Sequence, residues 1–333
     1  MLTQLVVFIL GLGILYLGAD WLIEGASELA KKFGIRSLII GLTIIALGTS
    51  LPEFLLNLFA VAAEEDGLAI GNIVGSNIAN IALILGISAI VMPLSVDGAV
   101  LKKEYPIMLA ATGLFYLLAL DGVISRLDGA ILVSGLIAFL VFVIRDASTG
   151  EDQTDVTVEA PAPEEDPFGA RSGIKKWLDH ERLGSAMRIL LIIAGMGALA
   201  IGARLMVQSA ITMASMLNIN PVIVGLSIVA IGTSLPELAA SLMASVRHES
   251  DLSVGNILGS NLLNILFVVG VVALIEPMQV DSETLNFHMP VMIAFSLLLW
   301  PLTRRHQRLG RPGAFIFLSC FLGYMGWLLY PYL

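Results

Sequence analysis

The chain has 333 residues, 57% of them hydrophobic and only 14% charged, with a mean hydropathy of +0.90, which excludes an ordinary water-soluble domain and places the chain in lipid. The formal net charge of −9 excludes a basic nucleic-acid binder, and ten of the carboxylates fall in one stretch, Asp146 to Glu181, beside three basic residues.

A helix that crosses a bilayer needs about 20 apolar residues. Ten apolar runs occur, at roughly 4–30, 37–63, 68–93, 106–121, 127–145, 187–214, 221–246, 252–275, 289–303 and 314–331, so the sequence predicts an all-α membrane protein with ten transmembrane helices. The first run lacks a positively charged leader and outlasts a signal peptide, so it is read as a retained helix. Asp20, Glu24 and Glu28 lie along one of its faces, with Glu24 and Glu28 read as solvated near the end. The second run carries Pro52 and Glu53, and the third carries Ser76, Asn77 and Asn80. Residues 146–185, with Pro161, Pro163 and Pro167 among many acids, cannot form a core and read as a linker. Its end, with Ile174, Trp177 and Leu178 beside Lys175 and Lys176, reads either as a short amphipathic helix on the membrane or as a solvated spacer. Arg204 falls within the sixth run at the position equivalent to Asp20, and the two form a candidate ion pair. The seventh run repeats the Pro–Glu pair at Pro236 and Glu237. Cys320, alone in the tenth run, reads as a small buried hydrophobe.

Lys31, Lys32, Arg36, Lys102, Lys103, Arg247, Arg304, Arg305, Arg308 and Arg311 fall in alternate loops, on the side of the linker. The positive-inside rule makes that side cytoplasmic and puts both termini outside.

A long repeat organises the chain. GLTIIALGTSLPE at 41–53 returns as GLSIVAIGTSLPE at 225–237, and GNIVGSNIANI at 71–81 as GNILGSNLLNI at 255–265, all at an offset of 184 residues. Residues 1–145 and 186–333 are therefore two five-helix copies joined by the linker 146–185. Five is odd, so the second copy enters the membrane from the opposite face, an inverted repeat of the kind found in secondary transporters. A duplication serving stability alone would not keep its most alike segments polar.

Glu53 and Glu237 lie in apolar helices, where an ionisable group is costly and marks function. Pro52 and Pro236 cannot bond the carbonyls of Gly48 and Gly232, so each helix is interrupted beside its carboxylate. Thr49, Ser50, Thr233 and Ser234 add hydroxyls at the same level, and Ser76, Asn80, Ser260 and Asn264 add oxygen from the next helices. Asn80 and Asn264 also suit simple interhelical hydrogen bonding. Gly71, Gly75, Gly255 and Gly259 have the spacing of close helix approach. An all-oxygen set suits a hard cation, and Ca2+ takes roughly 6–8 oxygens, of which two bidentate glutamates supply about four. Without a divalent ion two such carboxylates repel, so Na+ or protons replace it.

With GTSLPE twice and GSNxxN twice, the chain resembles the cation/Ca2+ exchanger superfamily, especially its short bacterial and archaeal sodium/calcium exchanger-like members. The resemblance implies antiport of Ca2+ against Na+ by alternating access in a prokaryotic inner membrane, with no cofactor and no enzymatic role. It implies Ca2+ ligation by Glu53, Glu237 and the main-chain oxygens of Thr49 and Thr233. It implies Na+ ligation by Ser50, Ser76, Ser234, Ser260 and the carbonyls of Ala46 and Ala230. It further assigns a sliding motion to 4–30 and 187–214. Some relatives have Asp where Asn80 or Asn264 stands, so K+ co-transport is not implied. The lipid bilayer and the ions are the expected partners, and protein partners stay unassigned. Three other readings have discriminators. A Ca2+/H+ exchanger would ignore Na+ at fixed pH, and a cation channel would not concentrate Ca2+. An intramembrane hydrolase would need a base beside Ser50 or Ser234, whereas His180, His248, His288 and His306 fall near helix ends or loops.

Overall fold

The computed structural model describes residues 1–149, 185–217, 230–304 and 307–330. Residues 150–184, which hold most of the expected linker including the stretch around Trp177, and the start of the seventh run, 221–229, lie outside the described residues, whereas 146–149 and 185 are helical. The helices are α1 (Leu2–Phe33), α2 (Ser37–Thr49), α3 (Leu51–Ala62), α4 (Asp66–Val91), α5 (Gly98–Lys102), α6 (Glu104–Leu118), α7 (Arg126–Thr149), α8 (Ser185–Met216), α9 (Ala230–Thr233), α10 (Leu235–Val246), α11 (Ser250–Ile275), α12 (Thr284–Thr303) and α13 (Arg311–Leu329). Among the described residues seven helices are long and apolar enough to cross a membrane, and the bent pair α2–α3 makes up to eight. The protein is a mostly helical membrane protein. Helices α6 and α10, of 15 and 12 residues, are too short to count by length alone.

Burial sorts these helices into layers. In the most apolar windows of α4 and α11, 78% and 83% of residues are buried, against 17–39% in the other five long helices. The two helices that carry the GN–SN motifs are therefore the centre of the bundle, and the others present apolar side chains to lipid. Ile70, Ile73, Ile78 and Ile81 of α4 meet Ile257, Leu262, Ile265 and Leu266 of α11 in the main core. A second apolar cluster joins Leu15, Leu22 and Ile23 of α1 to Ile192 and Leu199 of α8 and Ala240 and Met243 of α10. Helices α1 and α8 thus pack together over a cluster that also takes in Ile40 and Ile45 of α2 and Leu252 of α11.

That packing rests on glycine. Gly18 of α1 approaches α8 so closely that a Cβ there would lie 2.7 Å from the Leu199 nitrogen, and one on Gly202 would lie 2.6 Å from the Leu15 nitrogen. Without a hydrophobic drive inside lipid, such close backbone approach is what holds helices together. Gly18→Ala or Gly202→Ala should therefore destabilise the fold by about 1–3 kcal/mol, the usual cost of overpacking. Thermal unfolding in detergent checks this, and an unchanged melting temperature would show that the helices separate freely. Gly255 and Gly259 of α11 make equally close approaches, to the backbone of Leu38 and Leu42. For Gly71 and Gly75 the matching segment, 222–226, is outside the described residues.

Four short strands close the ends of the bundle. Strand β1 (Leu94–Ser95) pairs antiparallel with β4 (Arg308–Leu309), with Leu94 opposite Leu309, and β2 (Val123–Ile124) pairs antiparallel with β3 (Met278–Gln279), with Val123 opposite Gln279. At the repeat offset β1 falls on β3 and β2 falls within one residue of β4, so the two pairs exchange partners. Gly11 facing Gly202 and Gly18 facing Gly195 are exchanged in the same way.

Three expectations change. Asp20 pairs with Arg247 rather than Arg204, and Glu24 pairs with Arg247 too; Arg204 is exposed. The α1 face turns toward the end of α10, which brings Arg247 under both acids. Glu28 approaches Lys31 at 3.4 Å and Arg188 at 3.8 Å, so this acidic face is ion-paired rather than simply solvated. Cys320 is exposed, because on an outer helix the apolar side faces hydrocarbon instead of the core.

Candidate functional site

The site grows from the break in each repeated helix. Thr49 ends α2, Ser50 turns at φ −85°, ψ 1°, and Leu51 opens α3 after a bend of 43°. Thr233 ends α9, Ser234 turns at φ −86°, ψ 7°, and Leu235 opens α10. The two turns match within a few degrees and lie in the sparsely populated bridge region. Pro52 and Pro236 are tolerated because each stands in the first turn of its new helix, where the missing N–H has no partner to lose. Glu53 and Glu237 follow at once in those first turns, where the positive end of the helix dipole favours a carboxylate.

Both glutamates are fully buried, at 0% and 1% exposure, and lie within Coulombic reach of each other. None of the ion pairs among the described residues involves either of them. A buried acid satisfied by a base is therefore not what this pair is. Ser50 Oγ donates to Glu237 Oε1 at 3.2 Å, which ties one copy's hinge to the other copy's carboxylate. Thr233 lies beside Glu53, yet Glu53 Oε1, Glu53 Oε2 and Glu237 Oε2 accept no hydrogen bond among the described residues. Buried acceptors left this way are costly in a fold and call for a cation or proton.

The neighbouring oxygens come from both copies. Thr49 Oγ1 donates to Asn256 Oδ1 at 3.2 Å and lies 3.5 Å from Ser260 Oγ. In the other half Thr233 Oγ1 donates to Asn72 Oδ1 at 3.2 Å. Ser76 Oγ and Ser234 Oγ are buried without hydrogen-bond partners among the described residues. The Ala46 carbonyl is already engaged, accepting from the Ser50 amide at 3.0 Å, with Thr49 Oγ1 3.3 Å away. Ala230 opens α9, and its side chain is outside the described residues. Asn80 donates to Asn261 Oδ1 at 3.0 Å, while both polar atoms of Asn264 are buried without such a bond. At both asparagines the helix widens into a π turn, over Asn80–Ile84 and Asn264–Val269, a feature common at functional sites. Among the described residues no three His, Cys, Asp or Glu side chains converge, so beyond two carboxylates the donors are neutral oxygens.

Sequence reasoning singled out neither Asn72 nor Asn256. Both stand inside the repeated GN motif, one turn before Ser76 and Ser260 and on the same helix face. Asn57 and Ser241, which occupy equivalent positions four residues beyond the glutamates, were also missed. Asn57 Nδ2 donates to the Glu53 carbonyl at 2.6 Å, and Ser241 accepts from Asn256 Nδ2 at 2.8 Å.

Comparison with known proteins matches residues 3–145 and 187–330 to the family described as sodium/calcium exchanger protein. The chain is 36% identical over 316 residues to inner membrane protein YrbG of Escherichia coli (strain K12), covering 93% of this chain and 92% of that one. It is 32% identical over 315 residues to sodium/calcium exchanger MaX1 of Methanosarcina acetivorans, covering 89% and 90%. Among solved structures it is similar to the sodium-calcium exchanger NCX_Mj soaked with 2.5 mM Na+ and 1 mM Sr2+, with TM-score 0.80, 31% identity and 97% of both chains covered.

Proposed function

The chain belongs to the sodium/calcium exchanger protein family, an ion-transporting membrane antiporter family, and from that premise we propose that it exchanges Ca2+ for Na+ by alternating access. The observation that carries the reading is the pair of buried glutamates, donated by equivalent broken helices and without a basic partner among the described residues. A divalent cation balances both charges. Glu53 and Glu237 hold Ca2+ with the main-chain oxygens of Thr49 and Thr233. When Ca2+ leaves, the carboxylates repel, and Na+ enters among Ser50, Ser76, Ser234, Ser260, Asn80, Asn264 and the carbonyls of Ala46 and Ala230. The two cargoes exclude each other, so movement of one requires release of the other. The bond from the Ser50 amide to the Ala46 carbonyl must loosen for that carbonyl to take part, which makes its use conditional on motion at the hinge.

The proposed frame is ten crossings in two inverted copies, in a prokaryotic inner membrane with both termini outside. The exchanged strand pairs β1–β4 and β2–β3 support inversion, since equivalent strands sit in different pairs. The smooth apolar cluster on which α1 and α8 rest, distinct from the main core, supports a sliding layer that opens one side at a time. No cofactor and no chemical conversion enter this cycle.

Uptake of 45Ca2+ into proteoliposomes tests the coupling. An outward Na+ gradient at fixed pH should drive accumulation, and removing Na+ should abolish it. Accumulation that ignores Na+ and follows an imposed pH gradient would replace Na+ by protons as the exchanged ion.

A further inference from the structure

We propose that Asn256 and Asn72 are positioning residues of the exchange site, each reaching from its own long helix to the hinge threonine of the opposite copy. The proposal rests on the carboxylate reading above and adds residues that the reading does not contain.

The orientation of the Asn256 amide is fixed by its partners. Its Nδ2 lies 3.4 Å from the Glu237 carbonyl and 2.8 Å from Ser241 Oγ. A carbonyl can only accept, so the nitrogen must face Glu237 and the oxygen must face Thr49. Thr49 has one hydroxyl proton, and Asn256 Oδ1, with nothing to donate, takes it at 3.2 Å. The competing acceptors are the Ala46 carbonyl at 3.3 Å and the Glu237 carboxylate, which also lies beside this hydroxyl. Asn256 therefore links the end of α2 to the first turns of α10 in one step, through two side-chain bonds and the main chain of Glu237 itself. It is 1% exposed and lies on the buried central helix, so its own position is firm.

The second half repeats the threonine bond but not the link. Asn72 Oδ1 accepts from Thr233 at 3.2 Å, yet Asn72 Nδ2 has no hydrogen-bond partner among the described residues. The cause is one substitution between the copies. Where α10 has Ser241, α3 has Asn57, and Asn57 Nδ2 takes the Glu53 carbonyl at 2.6 Å. Asn72 is thereby displaced from the carbonyl that its counterpart reaches. The Glu237 carbonyl is held by Asn256 of a neighbouring helix, whereas the Glu53 carbonyl is held within its own helix by Asn57. The two carboxylates are chemically alike and mechanically unlike.

A thermodynamic cycle in proteoliposomes tests this. Asn256→Ala should raise the KM for Ca2+ roughly threefold to tenfold, the range for one lost neutral hydrogen bond, with a smaller change in the maximal rate. Thr49→Val, which keeps the main-chain carbonyl and removes the hydroxyl, should raise it similarly, and the double variant should be no worse than either single one. Thr49→Ser should restore the native KM. Asn72→Ala with Thr233→Val should behave in the same way. Effects that multiply in the double variants, or Thr49→Ser and Thr49→Val with the same KM, overturn the proposal. If Asn256→Ala does not fold, the Thr49 pair still decides. Loss of exchange in Glu237→Ala together with multiplying effects rejects the positioning role alone. Full exchange in Glu237→Ala rejects the carboxylate reading beneath it.

Discussion

Glu53→Ala and Glu237→Ala are each expected to abolish Na+-driven Ca2+ uptake while leaving the protein folded in the membrane. A single carboxylate at about 4 Å contributes attraction of about 4 kcal/mol to a unit charge at an effective dielectric near 20, and more to a divalent ion. Its removal therefore lowers Ca2+ affinity by roughly a thousandfold or more. Stability should move the other way. Glu53 is buried with two oxygens that accept no hydrogen bond among the described residues, and it repels Glu237, so its loss removes two unfavourable terms. Glu237→Ala should stabilise less, because Ser50 then loses its acceptor. Uptake assays and melting curves on the same preparations check both parts. Normal uptake by either variant would remove the basis of the proposed exchange.

The second large effect is expected at Arg247. It closes the last turn of α10 and pairs with Asp20 and Glu24 of α1. Around it Ser27 Oγ donates to Glu249 at 2.5 Å, and Arg188 of α8 approaches Glu28 at 3.8 Å. The same positions in the other copy hold Arg204, Gln208, Ile211 and Thr212, with Ala63 in place of Arg247, so this tie belongs to one end of the bundle. Arg247→Ala leaves Asp20, only 6% exposed, as a charge without its partner. Breaking a fully buried pair costs about 3–5 kcal/mol, and the partial exposure of Arg247 reduces this to about 1–3 kcal/mol. Adding Asp20→Asn to Arg247→Ala should recover part of the lost melting temperature. A double variant less stable than Arg247→Ala would show that Asp20 draws its support from elsewhere.

Much of this was legible in the residues. Apolar runs of spanning length located the helices because lipid leaves a backbone few other ways to satisfy its hydrogen bonds. The repeated Thr–Ser–Leu–Pro–Glu located both hinges, since a proline that cannot donate is best placed in the first turn of a helix. The structure brings Thr49, Ser50, Glu237 and Ser260 to one place and puts Glu53 within reach of them. Other features had no linear signal. The π turns at Asn80 and Asn264 leave the residue pattern almost unchanged. Arg247 stands in a turn, where it served as a marker of sidedness, and its pairing with α1 depends on how distant helices cross. Asn72 and Asn256 lie in plain view in the repeat, but an asparagine in a membrane helix reads first as glue between neighbours. Cys320 was misplaced by a rule made for water, since in a bilayer the outside of the bundle is as apolar as the inside.

The exchanged strand pairs have a consequence for ancestry. Contacts of the form i to j and j to i are those of an isologous dimer, and β1–β4 with β2–β3 have that form, as do Thr49–Asn256 and Thr233–Asn72. A half-length forebear would have met all of these partners on a second molecule of itself. In such a dimer every mutation strikes twice, so Asn57 could depart from Ser241, and Asp20 from Arg204, only once the gene had been duplicated. Duplication is what would give each hinge a separate evolutionary fate.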